Sequence, residues 1–302
     1  MHIEGSTVVV MERVGRLGNQ LFLFANLIAL SLFTGASVAH PTLGRYANYF
    51  TGTASSLFCR FPVKQGAFLT RSNFLRVVVY YMCRALDRSG MLKQTSGEAL
   101  YEGDYSSVVD MSQKSFLKRL TVHKLLFLTK GWTYRYPNVN KDTFLAELNR
   151  HFALIEPYSS NVAQTVKSAR GTHAVLVGVH IRHTDFKQHR GGKYYFTTQG
   201  YAKIMRHIQL LLYPATVSFL VVSDDQHTTA QFPLLSCTFG SGVDVEDMYC
   251  LGACDYIIGS VGSSFVLWPA FLFQKPIYRI EDADYLPDLR DFRVAMGEWS
   301  VT

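Results

Sequence analysis

Ala174-Val175-Leu176-Val177-Gly178-Val179-His180-Ile181-Arg182-His183-Thr184-Asp185 runs from unbroken apolar residues into a cluster of charge. So continuous an apolar stretch, Ala174 to His180, fits a strand covered on both faces, as in a parallel sheet between helices. The polar residues begin where that strand ends. In open α/β sheets this is where ligands collect.

The pattern recurs on either side. Thr198 to Leu212 has helical periodicity, and Val217 to Val222 is a second apolar strand, followed by Ser223-Asp224-Asp225. A helix over Asp247 to Ala253, a strand over Tyr256 to Ile258, a helix over Ser263 to Phe273 and a strand over Pro276 to Ile280 continue it. The alternation predicts a parallel, doubly wound α/β sheet. Near the start, Thr7-Val8-Val9-Val10, the turn Gly15-Arg16-Leu17-Gly18, a helix from Asn19 to Phe33 stopped by Gly35, and Ser37-Val38-Ala39 form one βαβ unit. Helical patterns over Phe74 to Leu86, Lys114 to Leu128 and Thr143 to Phe152 lie between. A polar stretch from Glu156-Pro157 to Gly171 reads as the boundary, so domains of residues 1–160 and 161–302 are expected.

A chain of 302 residues, 48% hydrophobic and 18% charged, has apolar material for two cores and cannot be disordered. Its net charge of +7 favours an anion as partner: a nucleotide diphosphate, an anionic glycan or an acidic lipid headgroup. No run combines dense Lys/Arg with stacking aromatics, which argues against a nucleic-acid partner. The five cysteines are irregularly spaced without Cys-x-x-Cys, so neither a disulfide framework nor a zinc knuckle is indicated. Cys250 and Cys254 read as buried apolar residues in a reducing compartment. The run Leu21 to Phe33, behind Arg13 and Arg16 and ahead of Ala36-Ser37-Val38-Ala39, imitates a secretory signal. It is shorter than a bilayer span, Asn26 interrupts it, and a strand precedes it, so an element of the fold is preferred. A helix around Ser115 to Leu128, with Lys114, Lys118, Arg119, His123 and Lys124, can lie on an anionic membrane surface or be a solvated face.

Four segments carry candidate chemistry. Arg182, past a strand end, can grip a phosphate through parallel charge-assisted hydrogen bonds, with Asp185 orienting it. The alternative is a plain surface ion pair. In Gly259-Ser260-Val261-Gly262-Ser263-Ser264, small residues before a helix offer backbone N–H groups to phosphate, although one serine can simply be an N-cap. Asn19 and Gln20, after the glycine turn, offer amide donors, or Asn19 caps the helix. Asp247, placed at the opening of its helix, can accept guanine N–H groups or merely satisfy the helix dipole.

Together these segments resemble the α-1,2-fucosyltransferase family and its α-1,6- and protein O-fucosyltransferase relatives. Gly15-Arg16-Leu17-Gly18-Asn19-Gln20 is similar to the family's Gly-x-x-Gly-Asn-Gln turn. His180-Ile181-Arg182-His183-Thr184-Asp185 resembles its His-x-Arg-Arg-x-Asp signature, and Asp247 through Trp268 its C-terminal block, with Ser223-Asp224-Asp225 a shorter motif between. The resemblance implies a GT-B-like fold, two Rossmann-like domains facing a cleft. It also implies an inverting transferase, without metal or cofactor, moving fucose from GDP-fucose to a glycan hydroxyl, with a galactoside α-1,2 linkage preferred. Arg182 would hold the diphosphate, His180 and Asp247 the guanosine, Ser263 and Ser264 phosphate oxygens, and Asn19 and Gln20 the donor from the first domain. Asp224 and Asp225 join the donor-binding set, Asp185 and His189 are the candidate bases, and acceptor loops are expected from the first domain and from Lys187 to Tyr195. His183 stands where the family has a second arginine. A different nucleotide sugar, or a binding protein without catalysis, are the alternatives. A cytoplasmic location, at most peripheral to a membrane, is expected, with the Golgi lumen as the alternative.

Overall fold

The computed structural model describes residues 3, 5–13, 15–63, 72–91, 100–102, 108–129, 133–137 and 140–295. The chain divides into two compact units, residues 1–155 and 156–302.

The first unit contains β1 (Thr7–Val10), α1 (Leu17–Thr34), β2 (Ser37–Ala39), β3 (Arg60–Phe61), α2 (Asn73–Arg88), β4 (Leu100–Glu102), β5 (Val109–Asp110), α3 (Lys114–His123), β6 (Leu125–Thr129), β7 (Tyr134–Arg135) and α4 (Lys141–His151). Its main sheet has the order β3-β2-β1-β6-β4. Pairing is parallel except between β2 and β3. Helix α1 is the core: Leu21, Phe22, Leu23, Phe24, Leu27 and Ile28 are each at most 1% exposed. Burying a side chain of that kind contributes about 1.5–3 kcal/mol. With 18 residues and a mean hydropathy of 1.5, α1 is longer than the run read from sequence and apolar enough to cross a membrane, yet 83% of it is buried inside the protein. Asn26 interrupts the run because it ties α1 to the chain after β7. Its Nδ2 donates to Phe22 O (2.8 Å) and its Oδ1 accepts from Tyr136 N–H (3.0 Å). The residues that imitate a cleavage site are strand β2, paired with β1.

One sequence expectation is corrected. The helix expected over Lys114 to Leu128 ends at His123, Lys124 turns the chain in the left-handed region (φ 58°), and Leu125 to Thr129 is a strand. That strand sits between β1 and β4, Thr7 opposite Leu125 and Leu100 opposite Phe127. Pairing on both edges overrides the helical preference of its leucines. The basic helix is therefore ten residues long. The stretch read as the boundary, 156 to 171, holds a helix, α5 (Tyr158–Arg170), and the second unit begins at the first residue of that stretch, Glu156.

After α5 come β8 (Val175–Ile181), α6 (Thr198–Leu211), β9 (Val217–Ser223), β10 (Cys237–Phe239), α7 (Asp244–Ala253), β11 (Tyr256–Ser260), α8 (Ser264–Leu272), β12 (Pro276–Ile280) and β13 (Arg293–Val294). The sheet order is β10-β9-β8-β11-β12-β13, parallel but for the last pair. Both faces are covered. Val177, Val179 and Ile181 pack with Ile204, Met205 and Ile208 of α6, while Leu176 packs with Leu251, Val266 and Ala270 of α7 and α8. The unbroken apolar character of β8 follows from this. A Cβ on Gly178 would lie 2.9 Å from Leu251 Cδ2 and 3.0 Å from Cys254 Sγ, so α7 packs on bare backbone there. Cys250 and Cys254 are buried in that contact, and Cys254 Sγ donates to Cys250 O (3.3 Å).

Candidate functional site

Strand order reverses between β8 and β11, with β9 and β10 built outward on one side and β12 and β13 on the other. Such a switch point opens a crevice at the strands' carboxyl ends. The register sets His180 opposite Val222 on β9 and Gly259 on β11. Three separated motifs therefore converge: Arg182 to Asp185, Asp224 and Asp225, and Ser260 to Ser264.

Arg182 leaves the end of β8 with a side chain only 14% exposed. Its Nε donates to Asp185 Oδ1 (2.8 Å) and its Nη2 to Asp185 Oδ2 (2.6 Å), and the guanidinium lies 4.4 Å from the centroid of Phe186. A guanidinium has two bidentate edges. Asp185 occupies the Nε/Nη2 edge, so the Nη1/Nη2 edge is held in one orientation for a second anion. Asp185 thereby spends both carboxylate oxygens on orienting the arginine.

His180 is buried, stacked on Phe265 at 4.8 Å, with Nδ1 3.5 Å from Ser263 Oγ. Burial, with help from the charge of Arg182, lowers its pKa to about 3, so the ring is neutral. Asp224 accepts N–H bonds from His183 (2.8 Å) and Thr184 (3.3 Å) and a hydroxyl bond from Thr184. Burial works to raise its carboxyl pKa, but those donors outweigh it and hold the group below the usual value. Asp225 is half exposed, with one oxygen 3.7 Å from His183 Nδ1. His183 is buried and Nε2 donates to Phe196 O (3.0 Å), so its ring serves the loop between β8 and α6. His189 is exposed on that loop, stacked on Phe186 at 5.5 Å.

Ser263 is the N-cap of α8 and makes no side-chain capping bond; α8 has no acidic residue in its first turn. Ser263 and Ser264 are both buried. Gly262 has φ 82°, and a Cβ there would lie 3.3 Å from the ring of Tyr194. The turn before α8 thus needs glycine both for its backbone and for the close approach of that ring.

Asp247 does not open its helix. Helix α7 starts three residues earlier, and Asp244, Glu246 and Asp247 share its first turn. The Asp247 carboxylate reaches back to accept N–H bonds from Ser241 (2.7 Å) and Gly242 (3.0 Å) and a bond from Ser241 Oγ (3.1 Å). Burial raises its pKa above the ordinary value despite those donors. It fixes the turn after β10. In the first unit, Asn19 is half buried and packs on Gly15, whose φ is 74°, and Gln20 is fully buried. Tyr201 was not foreseen. Tyr201, buried on α6, brings its hydroxyl beside the Ser260 side chain and the Arg182 backbone. Only a polar tip on an otherwise apolar helix face could have signalled it.

No protein-family description and no curated protein matches the chain by sequence. Solved structures match it in fold. Fucosyltransferase NodZ from Bradyrhizobium matches with a TM-score of 0.56 at 14% identity, over 93% of this chain and 98% of that one. POFUT1 in complex with GDP matches with a TM-score of 0.53 at 10% identity, over 90% and 98%. A variant of Arabidopsis thaliana FUT1 in complex with GDP matches with a TM-score of 0.53 at 12% identity, over 92% and 72%. The chain has the GT-B-like α/β fold of these fucosyltransferases.

Proposed function

We propose that this chain is a glycosyltransferase that binds GDP-fucose at the carboxyl edge of the second unit's sheet and transfers fucose, with inversion, to a hydroxyl of a glycan. The observation that carries it is the oriented, open edge of Arg182 beside the N-terminus of α8. The likeness in fold to proteins solved with GDP supports the guanine nucleotide. A galactoside acceptor joined by an α-1,2 linkage is the finer assignment, and it rests on the motif resemblance alone. The second unit by itself supports the donor site.

As the bond between fucose and the β-phosphate breaks, negative charge grows on the phosphate. Arg182 and the N–H groups of α8 would take up that charge, with Ser263 and Ser264 holding phosphate oxygens. No metal or cofactor enters this scheme. Neutral His180 would contact the nucleoside without adding charge. Asp247 would act through the turn it holds after β10, and Asp224 and Asp225 through the backbone and ring of His183. Asp185 is committed to positioning Arg182, which leaves His189 to remove the acceptor proton.

The test is a thermal-shift comparison of GDP, UDP and ADP. A ligand at 100 times its Kd adds about 2.7 kcal/mol of stability. A shift with GDP that exceeds those with UDP and ADP is expected; no response to millimolar GDP would overturn the proposal. One observation favours a second reading, a binding protein without catalysis: both ring nitrogens of His183 face protein groups, so the ring has no nitrogen turned to a ligand where the family has a second arginine. Release of fucose from GDP-fucose, to a glycan or to water, separates the two.

A further inference from the structure

Between Asp185 and Asp224 the chain contains no Asp or Glu. The loop that opens this stretch, Phe186 to Tyr195, borders the donor site just described. Its underside is apolar and fixed: Phe186, Tyr194 and the following Phe196 are buried, Tyr194 lies against Gly262 of the turn before α8, and His183 holds Phe196 O. Its outer side is cationic. Lys187, Arg190 and Lys193 are exposed, and among the described residues none of them pairs with a carboxylate. They surround two tyrosines instead: Lys187 Nζ is 5.8 Å from the Tyr195 ring centre, and Lys193 Nζ and the Arg190 guanidinium are 5.6 and 6.0 Å from that of Tyr194.

This arrangement is costly by itself. Arg190, Gly191 and Gly192 follow one another at φ 49°, 67° and 79°. A non-glycine residue in the left-handed region costs about 1–2 kcal/mol. Three like charges in a short, fixed loop also repel. An anion bound among them relieves the repulsion, and the partly buried Tyr195, tilted on His183 at 5.1 Å, is the aromatic ring beside them that a sugar can meet. The exposed tip carries no aliphatic side chain to enter a lipid surface. Tyr194 is 8% exposed, too buried to stack a nucleobase.

We propose that the loop of residues 186–195 is the acceptor subsite and selects a saccharide that bears a carboxylate or a sulfate. This rests on the transferase reading and adds to it the class of acceptor. The test compares the wild type with the variant Lys187→Gln/Arg190→Asn/Lys193→Gln, asparagine being tolerant of the left-handed conformation. Calorimetry, with and without GDP, measures binding of trigalacturonate, 6-sulfated galactotriose and uncharged galactotriose. Thermal shift with GDP and slow hydrolysis of GDP-fucose report the donor site separately. The wild type should bind at least one charged saccharide about tenfold more tightly than the uncharged one, and which one distinguishes carboxylate from sulfate. That preference should shrink as salt rises from about 50 to about 300 mM. The variant should lose the preference while GDP binding and hydrolysis stay as in the wild type. Should the triple change prevent folding, the single changes Arg190→Asn and Lys193→Gln should each reduce the preference. Equal binding of charged and uncharged saccharides, no saccharide binding, a preference that survives the substitutions, or tighter binding of a random oligonucleotide or of anionic vesicles would each refute the assignment. Absence of GDP binding would strike the transferase reading instead, since the calorimetry needs no donor.

Discussion

Replacing Arg182 by alanine removes the group on which the donor site depends, and the structure sets the size of the effect. Its open edge can make two charge-assisted hydrogen bonds, each worth about 1.5–3 kcal/mol. If about 3 kcal/mol of that is realised only as charge builds on the leaving phosphate, turnover falls about 150-fold. Stability should change little. The pair with Asp185 is more than a third exposed on the carboxylate side and is worth less than about 1 kcal/mol after screening. The contact with Phe186 adds a similar amount. A melting temperature lower by roughly 2–4 °C per kcal/mol lost is expected. Arg182→Lys keeps a charge but cannot serve Asp185 and a phosphate with two edges, so it should still lose at least about tenfold. The assay is release of GDP from GDP-fucose at saturating acceptor, run beside calorimetric melting of each variant. Turnover of Arg182→Ala within tenfold of the wild type, in a protein that melts normally, would refute the reasoning.

Gly262→Ala places a side chain at φ 82° against Tyr194; about 1–2 kcal/mol of stability and at least about tenfold in GDP affinity should be lost, and a neutral outcome by melting and titration would show that the turn can relax. Asn26→Leu leaves the buried Tyr136 N–H without its acceptor and should cost about 1–3 kcal/mol in urea unfolding, with GDP affinity unchanged. His40, His151 and His180 are all held neutral by burial, with pKa values lowered from 6.5 to about 3. Across that window the unfolded chain binds protons that the folded protein refuses, so stability falls as pH drops below 6.5. The slope should reach up to about 4 kcal/mol per pH unit, and urea midpoints equal at pH 7 and pH 5 would contradict it. Asp185→Asn frees the guanidinium to turn, and should lower turnover without moving the pH profile, whereas loss of a general base would remove its limb.

What the sequence determined by itself is local. The strand Val175–Ile181, the helix Thr198–Leu211 and the strand Pro276–Ile280 were legible because burial on two faces, or on one stripe, writes a period of residues that needs no partner to be read. Arg182 and Asp185 were legible as a pair for the same reason, being three residues apart. Leu125–Thr129 was not, because a leucine-rich segment becomes a strand only when β1 and β4 lie on either side of it, and both are distant in the chain. Tyr158–Arg170 hid behind a proline and two serines that also suit a domain boundary. The tertiary structure alone decided which edge of Arg182 remains open, that Asp247 bonds its own turn, and that Tyr194 seats on Gly262. The seat of Tyr194 on Gly262 depends on where β8 and β11 end relative to one another, and strand register is set by the packing of the whole sheet; the other two depend on side-chain orientations that residue spacing does not fix.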